Sequence, residues 1–225
     1  MYHHRISGFD VPMVTIHPGE FWVTAEDVAI VTVLGSCVAV ALRDRSGALG
    51  GLNHFMLTGD FRGADLARSP DARYGMYAME LLINELLKAG GRKRDLEAKV
   101  FGGASVLRLR PGATGAGLHE ANVAFALDYL RLEGIPVLAS DVGGFAARKI
   151  FYFPRTGRVL LKRFGGAAVA AVERAEEGYL GHLRREPPEG EVVLFGDGPE
   201  SAARGKAGGS AGGSLRRKSG TERGE

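Results

Sequence analysis

Cys37 and His54 are the two residues of this sequence whose chemistry and spacing could support covalent catalysis. Cys37 is the single cysteine, and its thiolate would be a competent nucleophile. A neighbouring imidazole can take up the thiol proton and later give it to a leaving amine. The pair therefore predicts attack on a carbonyl carbon followed by loss of an amine.

A tight turn would bring these two residues together. If Arg45 and Ser46 are the central residues of a turn between antiparallel strands, the pairing continues from the turn to Cys37 opposite His54. Directly opposed residues point to the same face, with Cβ atoms about 4.5–5.5 Å apart. A bulge at the glycine pair of residues 50–51 would instead put the two side chains on opposite faces.

Small and polar residues beside the pair could complete a site. Gly35 leaves room for an approaching carboxamide, and the backbone N–H of Cys37 is a candidate oxyanion donor. Ser36 and Asn53 are further candidates for contacts with the substrate or the oxyanion. A third polar group usually orients such an imidazole, and Thr32 is near in sequence, although its spacing does not single it out.

Both members of the pair also have a structural interpretation. A free cysteine in an apolar strand is often a small buried hydrophobic residue, and a histidine beside Phe55 can be a hydrogen-bonded core residue. No metal site is predicted, because the histidines lack the regular spacing of zinc ligands. The remaining histidines are His3, His4, His17, His119 and His182.

Apolar runs and turn signals predict the strands that would position the pair. Residues 28–57 are rich in Val, Ala, Leu and Thr and are interrupted at Gly35 and at 44–47, which favours successive strands. Further strands are predicted at Ala98–Phe101, at Ile135–Ala139, and in a hairpin of Lys149–Phe153 with Val159–Phe164. The glycine pairs at 102–103 and 143–144 lack the lysine and Ser/Thr of a nucleotide loop and are interpreted as turns.

Three helices follow from the spacing of apolar residues. One starts at Ser69 and Pro70 and ends at Gly90, a second covers Glu120–Glu133, and a weaker third covers Ala167–Leu183. Strands occur both in hairpins and between helices. The pattern therefore predicts an α/β fold of the α+β kind, with mixed sheets flanked by helices.

Composition and charge narrow the class of protein. The chain has 225 residues, 45% hydrophobic and 24% charged, which is typical of a soluble globular domain. Its net charge of +3 comes from Pro199–Glu225, where six basic residues outnumber three acidic ones, so the body lacks the basic surface that a nucleic acid would require. No stretch approaches the ~20 apolar residues of a membrane span, and a lone cysteine suits a reducing compartment. The expected location is cytoplasmic.

Eight ordered blocks between Val14 and Phe164 resemble the CheD family of chemoreceptor glutamine deamidases. Two of them, LGSCVAV and NHFML, contain the candidate pair. The others are HPGE, ARYG, AMELLINELLKAG, LEAKVFGGAS, EGIPVLASDVGG and RKIFYFPRTGRVLLKRF. The expected organisation is an extension at 1–13, a deamidase domain at 14–184, a linker at 185–198 and a disordered tail at 199–225.

The resemblance implies that Cys37 is the nucleophile, His54 the general acid/base and Thr32 the third catalytic residue. It implies two packed mixed β-sheets with helices outside, similar to the catalytic domain of cytotoxic necrotising factor toxins. The implied reaction converts glutamines of methyl-accepting chemotaxis receptors to glutamate, without a cofactor, in a monomeric chain. A CheC-type phosphatase is an implied partner, with Phe101 and Gly102 as candidate contacts.

One position and one block depart from the family pattern. Many members have a second cysteine where this chain has Ala41, so that cysteine is not needed for the chemistry. The common I-G-x-R-N block reads L-H-E-A-N at Leu118–Asn122, which predicts a drift in substrate or partner binding. Two rival functions stay open: a non-catalytic adaptor that binds the phosphatase or receptors, and a cysteine hydrolase that acts on methyl esters or other amides.

Overall fold

The computed structural model describes residues 2–4, 11–58, 72–106, 117–165 and 167–185. Its strands are β1 (Tyr2–His4), β2 (Met13–Thr15), β3 (Phe21–Thr24), β4 (Ala29–Leu34), β5 (Val38–Asp44), β6 (Gly50–Asn53), β7 (Leu96–Gly102), β8 (Val137–Val142), β9 (Ala147–Phe153) and β10 (Arg158–Phe164). Its helices are α1 (Arg73–Lys88), α2 (Leu118–Leu132) and α3 (Ala167–Arg185). Of these helices, none combines the length and the apolar character needed to cross a lipid bilayer.

The strands form two mixed sheets of five strands each. The first has the order β1-β2-β4-β9-β10 and the second the order β3-β6-β5-β7-β8. Each contains one parallel pair, β2 with β4 and β7 with β8, and its other neighbours are antiparallel. The predicted α+β fold with mixed sheets and helices is confirmed. The similarity to the toxin domain stays a prediction.

Both sheets contribute to one apolar core. Ile30 and Tyr152 of the first sheet and Leu42 of the second belong to the same buried cluster. The Tyr152 hydroxyl donates to the backbone oxygen of Leu42 at 2.8 Å, which satisfies its polar end inside the core. On the second sheet, Phe125 of α2 meets Phe55 edge to face, with ring centroids 5.8 Å apart. This packing fixes the strands that carry the candidate site.

The predicted helices and hairpin are confirmed with shifted ends. Gly90 and Gly134 follow α1 and α2 with φ of 95° and 68°, as expected of glycines that end helices. The predicted start of α1 at Ser69 and Pro70, like the tail at 199–225, lies outside the described residues. β9 and β10 pair as the predicted hairpin. β1, β2 and β3 were not predicted, because three or four residues carry too little periodicity to indicate a strand.

Candidate active site

Cys37 lies where the chain crosses from one sheet to the other. β4 ends at Leu34 in the first sheet, and β5 begins at Val38 in the second. Residues 35–37 form this crossing between the sheets, and the Cys37 side chain is fully buried. The cysteine therefore precedes a strand and does not lie within one, and both sheets can place side chains around its sulfur.

The turn after β7 fixes this crossing through backbone hydrogen bonds. Gly103 N donates to the Cys37 oxygen and Ala104 N to the Gly35 oxygen, each at 2.7 Å. Gly102 has a φ of 115°, and a Cβ there would collide with the Cys37 carbonyl oxygen. Only glycine accommodates both requirements. The glycine pair interpreted as a turn thus positions the candidate nucleophile.

The predicted register between β5 and β6 was wrong by two residues. β5 pairs with β6 so that Val38 lies opposite Phe55, because the connecting loop consists of residues 45–48 and not of a two-residue turn. Cys37 and His54 are diagonal neighbours in this register. A shift by two residues leaves each side chain on its face of the sheet. The predicted proximity therefore holds although the predicted pairing does not.

A threonine of the first sheet orients the imidazole of His54. Thr32 Oγ1 lies 2.8 Å from His54 Nδ1 and donates its own proton to the Ile16 backbone oxygen at 2.9 Å. A hydroxyl has one proton, so Thr32 must accept the Nδ1 proton of His54. The unprotonated nitrogen of the neutral ring is then Nε2, which is buried and lacks a hydrogen-bond partner in the described structure. That nitrogen is available as a base.

Glu176 of α3 brings a carboxylate to the same place. Its Oε1 accepts the N–H groups of Gly35 and Cys37, each at 3.0 Å, and its Oε2 accepts the Ser36 N–H at 2.9 Å and the Ser36 hydroxyl at 2.7 Å. One ligand atom each of Cys37, His54 and Glu176 lie within 4.8 Å of one another. Three successive N–H groups that converge on one anion form a nest, which is suited to stabilising an oxyanion.

Burial and neighbouring charge keep both reactive groups uncharged. Burial raises the pKa of the Cys37 thiol well above its usual value, and the charge of Glu176 and a hydrogen bond to it raise it further. Burial lowers the pKa of His54 to about 3, and the charge of His17 adds to this. The site therefore holds a thiol and a neutral imidazole at pH 7, and not an ion pair. The two groups lie close together, but the raised pKa means that the sulfur beside Glu176 is not activated.

Cys37, His54 and Glu176 are also, within the described ranges, the one cluster of potential metal ligands that is close enough to hold an ion. A carboxylate offers about four lone-pair positions. The two oxygens of Glu176 already accept four hydrogen bonds from the crossing. A zinc ligand must give a lone pair to the metal. The donor set therefore fits a hydrogen-bonded anion better than a metal ligand.

Two buried asparagines hold the crossing and its neighbours. Asn122 of α2 accepts from Leu57 N at 2.8 Å and donates to the Ser36 oxygen at 2.9 Å. Asn53 accepts from Val40 N at 2.9 Å and donates to a backbone oxygen of α1 at 3.2 Å. The amide of Asn53 is thus used within the fold, and its contact with substrate stays a prediction. Asn122 is a positioning residue that was not predicted from the sequence.

Phe101 and Gly102, the predicted partner contacts, are buried in the second sheet. Phe101 of β7 is 6% exposed and lies opposite Ala39 of β5. β7 is an inner strand of the second sheet, with β5 on one side and β8 on the other. Gly102 supports the Cys37 backbone. Contact of these two residues with a partner stays a prediction.

Glu176 was not among the predicted site residues, although its position in α3 is unusual for a charged residue. The residues of α3 that pack inward recur at helical spacing and are Val169, Val172, Glu176, Leu180 and Leu183. A charged residue within an otherwise apolar stripe is unusual, because buried charges need hydrogen-bond partners. The partners of Glu176 belong to a segment about 140 positions away in sequence, and only the fold identifies them.

Comparison with known proteins identifies the family of this chain. The family model CheD, described as chemotactic sensory transduction, matches residues 56–163. A protein of Herminiimonas arsenicoxydans, named "Probable chemoreceptor glutamine deamidase CheD", is 45% identical over 195 residues, which cover 87% of this chain and 94% of the relative. A Thiobacillus denitrificans protein of the same name is 46% identical over the same shares. The chain belongs to the CheD family.

The family model covers none of the four candidate residues, but the alignment with the Herminiimonas relative spans all of them. An alignment of 195 residues within a chain of 225 must contain residues 31–195, and hence Thr32, Cys37, His54 and Glu176. A Methylobacillus flagellatus relative of the same name is 46% identical over 83% of this chain and 91% of its own length. A solved structure of a Neisseria meningitidis protein, with the family model DUF152, covers 55% of this chain and 51% of its own at 16% identity and a TM-score of 0.31. The family predicted from the sequence blocks is confirmed.

Proposed function

We propose that this CheD-family chain deamidates glutamine side chains of chemoreceptors, with Cys37 as nucleophile and His54 as general acid and base. The observation that carries the proposal is the Thr32–His54 hydrogen bond, which leaves Nε2 as the unprotonated nitrogen of a ring that lies in one cluster with Cys37. The substrate class is taken from relatives of about 45% identity that are named chemoreceptor glutamine deamidases.

The first half of the proposed reaction forms a thioester. His54 Nε2 takes the thiol proton as the Cys37 sulfur attacks the side-chain carbonyl carbon of the glutamine. The carbonyl oxygen becomes an oxyanion, to which the N–H groups of Gly35 and Cys37 donate. His54 then returns the proton to the amide nitrogen, the C–N bond breaks, and ammonia leaves.

The second half hydrolyses the thioester with water. His54 Nε2 takes a proton from a water molecule, whose oxygen attacks the thioester carbon. The C–S bond breaks, the proton returns to sulfur, and glutamate is released. Amide and water thus give acid and ammonia, with no change in oxidation state and no co-reactant other than water.

Thr32 has a positioning role in this proposal. By accepting the Nδ1 proton it selects the tautomer in which Nε2 is a base, and it can also stabilise the imidazolium that forms during each half-reaction. Asn122 stabilises the nest by donating a hydrogen bond to the backbone oxygen of Ser36.

The test is mass spectrometry of a chemoreceptor cytoplasmic fragment incubated with the full chain. Each converted glutamine gains roughly one dalton, and conversion should vanish with Cys37→Ala and nearly vanish with Cys37→Ser. Circular dichroism of each variant checks that the fold is unchanged. Conversion that continues with Cys37→Ala would remove Cys37 from the mechanism. Absence of conversion by the wild-type chain, with receptor binding intact, would favour the adaptor function.

Two further experiments distinguish deamidation by Cys37 and His54 from ester hydrolysis and from metal-dependent hydrolysis. Glutamate methyl esters placed in the same fragment test for ester hydrolysis, and faster loss of methanol than of ammonia would favour the esterase. A chelator added to the reaction tests for metal-dependent hydrolysis by the Cys37, His54 and Glu176 cluster. We expect the chelator to leave the rate unchanged. Binding of a CheC-type phosphatase stays a prediction.

A further inference from the structure

α3 covers the candidate site and inserts a single charged side chain. Glu176 is 2% exposed, and its buried neighbours on the same helix face are Leu180 and Leu183. The helix is attached to α1 by the hydroxyl of Tyr74, which donates to the Leu183 backbone oxygen at 2.8 Å. The attachment thus combines a short apolar stripe with the hydrogen bonds of Glu176.

Glu176 occupies the space that a substrate side chain would need. Its oxygens use all three N–H groups of residues 35–37. A Cβ on Gly35 would lie 2.8 Å from Glu176 Oε2, so the glycine provides the room that the carboxylate fills. A glutamine whose carbonyl oxygen took the same donors would have its amide group on the same atoms. Binding of α3 and binding of substrate are therefore mutually exclusive.

The group in this space has the chemistry of a reaction product. A deamidated glutamine is a glutamate, whose two oxygens both accept hydrogen bonds. The nest gives donors to both oxygens of Glu176, including the N–H of Ser36 to Oε2. An amide has one oxygen and would place an NH₂ group against one of these N–H groups. The filled nest is thus complementary to an acid more than to an amide.

We propose that α3 is an internal competitive inhibitor, in which Glu176 fills the oxyanion site as a product-like ligand and the substrate enters when α3 leaves. The inference rests on the proposed function, because it identifies the N–H groups of residues 35–37 as the oxyanion site. It adds a regulatory element that the reaction scheme does not contain. Anything that binds α3 away from the site would activate the enzyme.

The competing role for Glu176 is that of a permanent catalytic group. Its lone pairs are committed to the crossing, and His54 already has Thr32 to orient it. A carboxylate beside the sulfur also raises the thiol pKa, which opposes formation of the thiolate. These features impede the proposed chemistry and favour the inhibitory role.

Alkylation of Cys37 by iodoacetamide provides a direct test, because this thiol is the single one in the chain. The wild-type full chain should react slowly, since its sulfur is fully buried under α3. Glu176→Ala should react at least tenfold faster. The same variant should lower the KM for receptor-fragment deamidation by a similar factor with kcat unchanged, as expected when a competitor is removed. Glu177→Ala, at the exposed neighbouring position, is the matched control and should behave as the wild type.

The outcomes separate this inference from the proposed function. A Glu176→Ala variant with reduced kcat would overturn the inhibitory role and make Glu176 part of the catalytic machinery, while the deamidase function would stand. Equal alkylation rates in wild type and variant would also overturn it. Faster alkylation without deamidation by either protein would support occlusion by α3 and reject the deamidase function.

A second variant keeps the test decisive if Glu176→Ala does not fold. Leu180→Ala removes a buried anchor of α3 without touching the nest. It should raise the alkylation rate and lower the KM in the same direction. A folded Leu180→Ala variant that matches the wild type in both would overturn the proposal.

Discussion

The two sides of the Cys37 sulfur are built in different ways. On the first side, which we call the strand side, Thr32 lies within β4 and His54 directly follows β6. Both are therefore held by the hydrogen bonds of the two sheets. On the other side, the helix side, α3 contributes Glu176 and a short apolar stripe. Residues on the outer face of α3, such as Glu177, are exposed. The groups that would perform chemistry belong to rigid elements, whereas the group that blocks access belongs to an element with few attachments.

This difference has a physical meaning for catalysis. A catalytic pair must keep its geometry within fractions of an ångström, and packing between two sheets provides that rigidity. An inhibitor must instead leave, and an element whose free energy of detachment is small can do so on the timescale of turnover. Variants on the two sides should therefore have opposite effects on activity, which the following predictions test in order of expected size.

Loss of the base should give the largest effect. We expect His54→Gln to reduce kcat for deamidation by about 10²–10⁴-fold, because general acid–base catalysis contributes that much. His119→Gln, at a half-buried position on α2, is the matched control and should retain full activity. The measurement is ammonia release from a receptor fragment. A His54→Gln enzyme with near-normal kcat would show that the strand side does not contain the base.

Loss of the orienting hydroxyl should give the next largest effect. Thr32→Val keeps the shape but removes the acceptor for His54 Nδ1, so the ring can take the other tautomer. We expect kcat to fall about 10–100-fold with little change in KM, since small misplacements of a catalytic group cost up to that much. Thr32→Ser should restore most of the activity. Failure of serine to rescue would indicate that the role of Thr32 is packing.

The pH dependence of stability should report the burial of His54. In the folded chain the pKa of His54 is about 3, below the ordinary value of 6.5 for histidine. Between these values the unfolded chain binds a proton that the folded chain does not, so the free energy of unfolding falls as the pH falls from 6.5 towards 3. The slope from this group approaches about 1.4 kcal/mol per pH unit.

The contribution of His54 can be isolated by urea unfolding of the wild type and of His54→Gln at several pH values. The carboxylates titrate in both proteins, so the difference between the two curves retains the histidine term. We expect this difference to grow as the pH is lowered below 6.5. Parallel curves would contradict the buried, neutral state of His54 on the strand side.

The strand side of the site could be predicted from the sequence to a large extent. Cys37 and His54 are close along the chain and near a turn, so local pairing rules bring them together. The register was wrong because Asp44 bonds to Ser46 and Arg92 and forms a longer loop than a two-residue turn. The error was an even number of residues, which preserved the face. Thr32 came from the family resemblance alone, because its contact with His54 joins different sheets.

The helix side could not be predicted, for a reason that lies in the physics of the contact. Glu176 accepts hydrogen bonds from backbone N–H groups. Because every residue except proline has such a group, residue types in the sequence do not indicate which ones are its donors. The contact also spans about 140 residues of chain. The sequence predicted the helix as Ala167–Leu183, which is confirmed as α3, but it contained no information on what the helix covers.

The smallest effect should come from stiffening α3. Gly178 lies inside the helix, and a Cβ there would meet nothing within 4 Å, so Gly178→Ala changes helix propensity without adding a contact. Alanine stabilises a helix relative to glycine by about 0.5–1 kcal/mol, so alkylation of Cys37 should slow about two- to fivefold if α3 unfolds when it leaves. Gly165→Ala, outside the helix and equally uncrowded, is the matched control. An unchanged rate would show that α3 detaches as an intact helix, so that its docking contacts alone set the opening equilibrium.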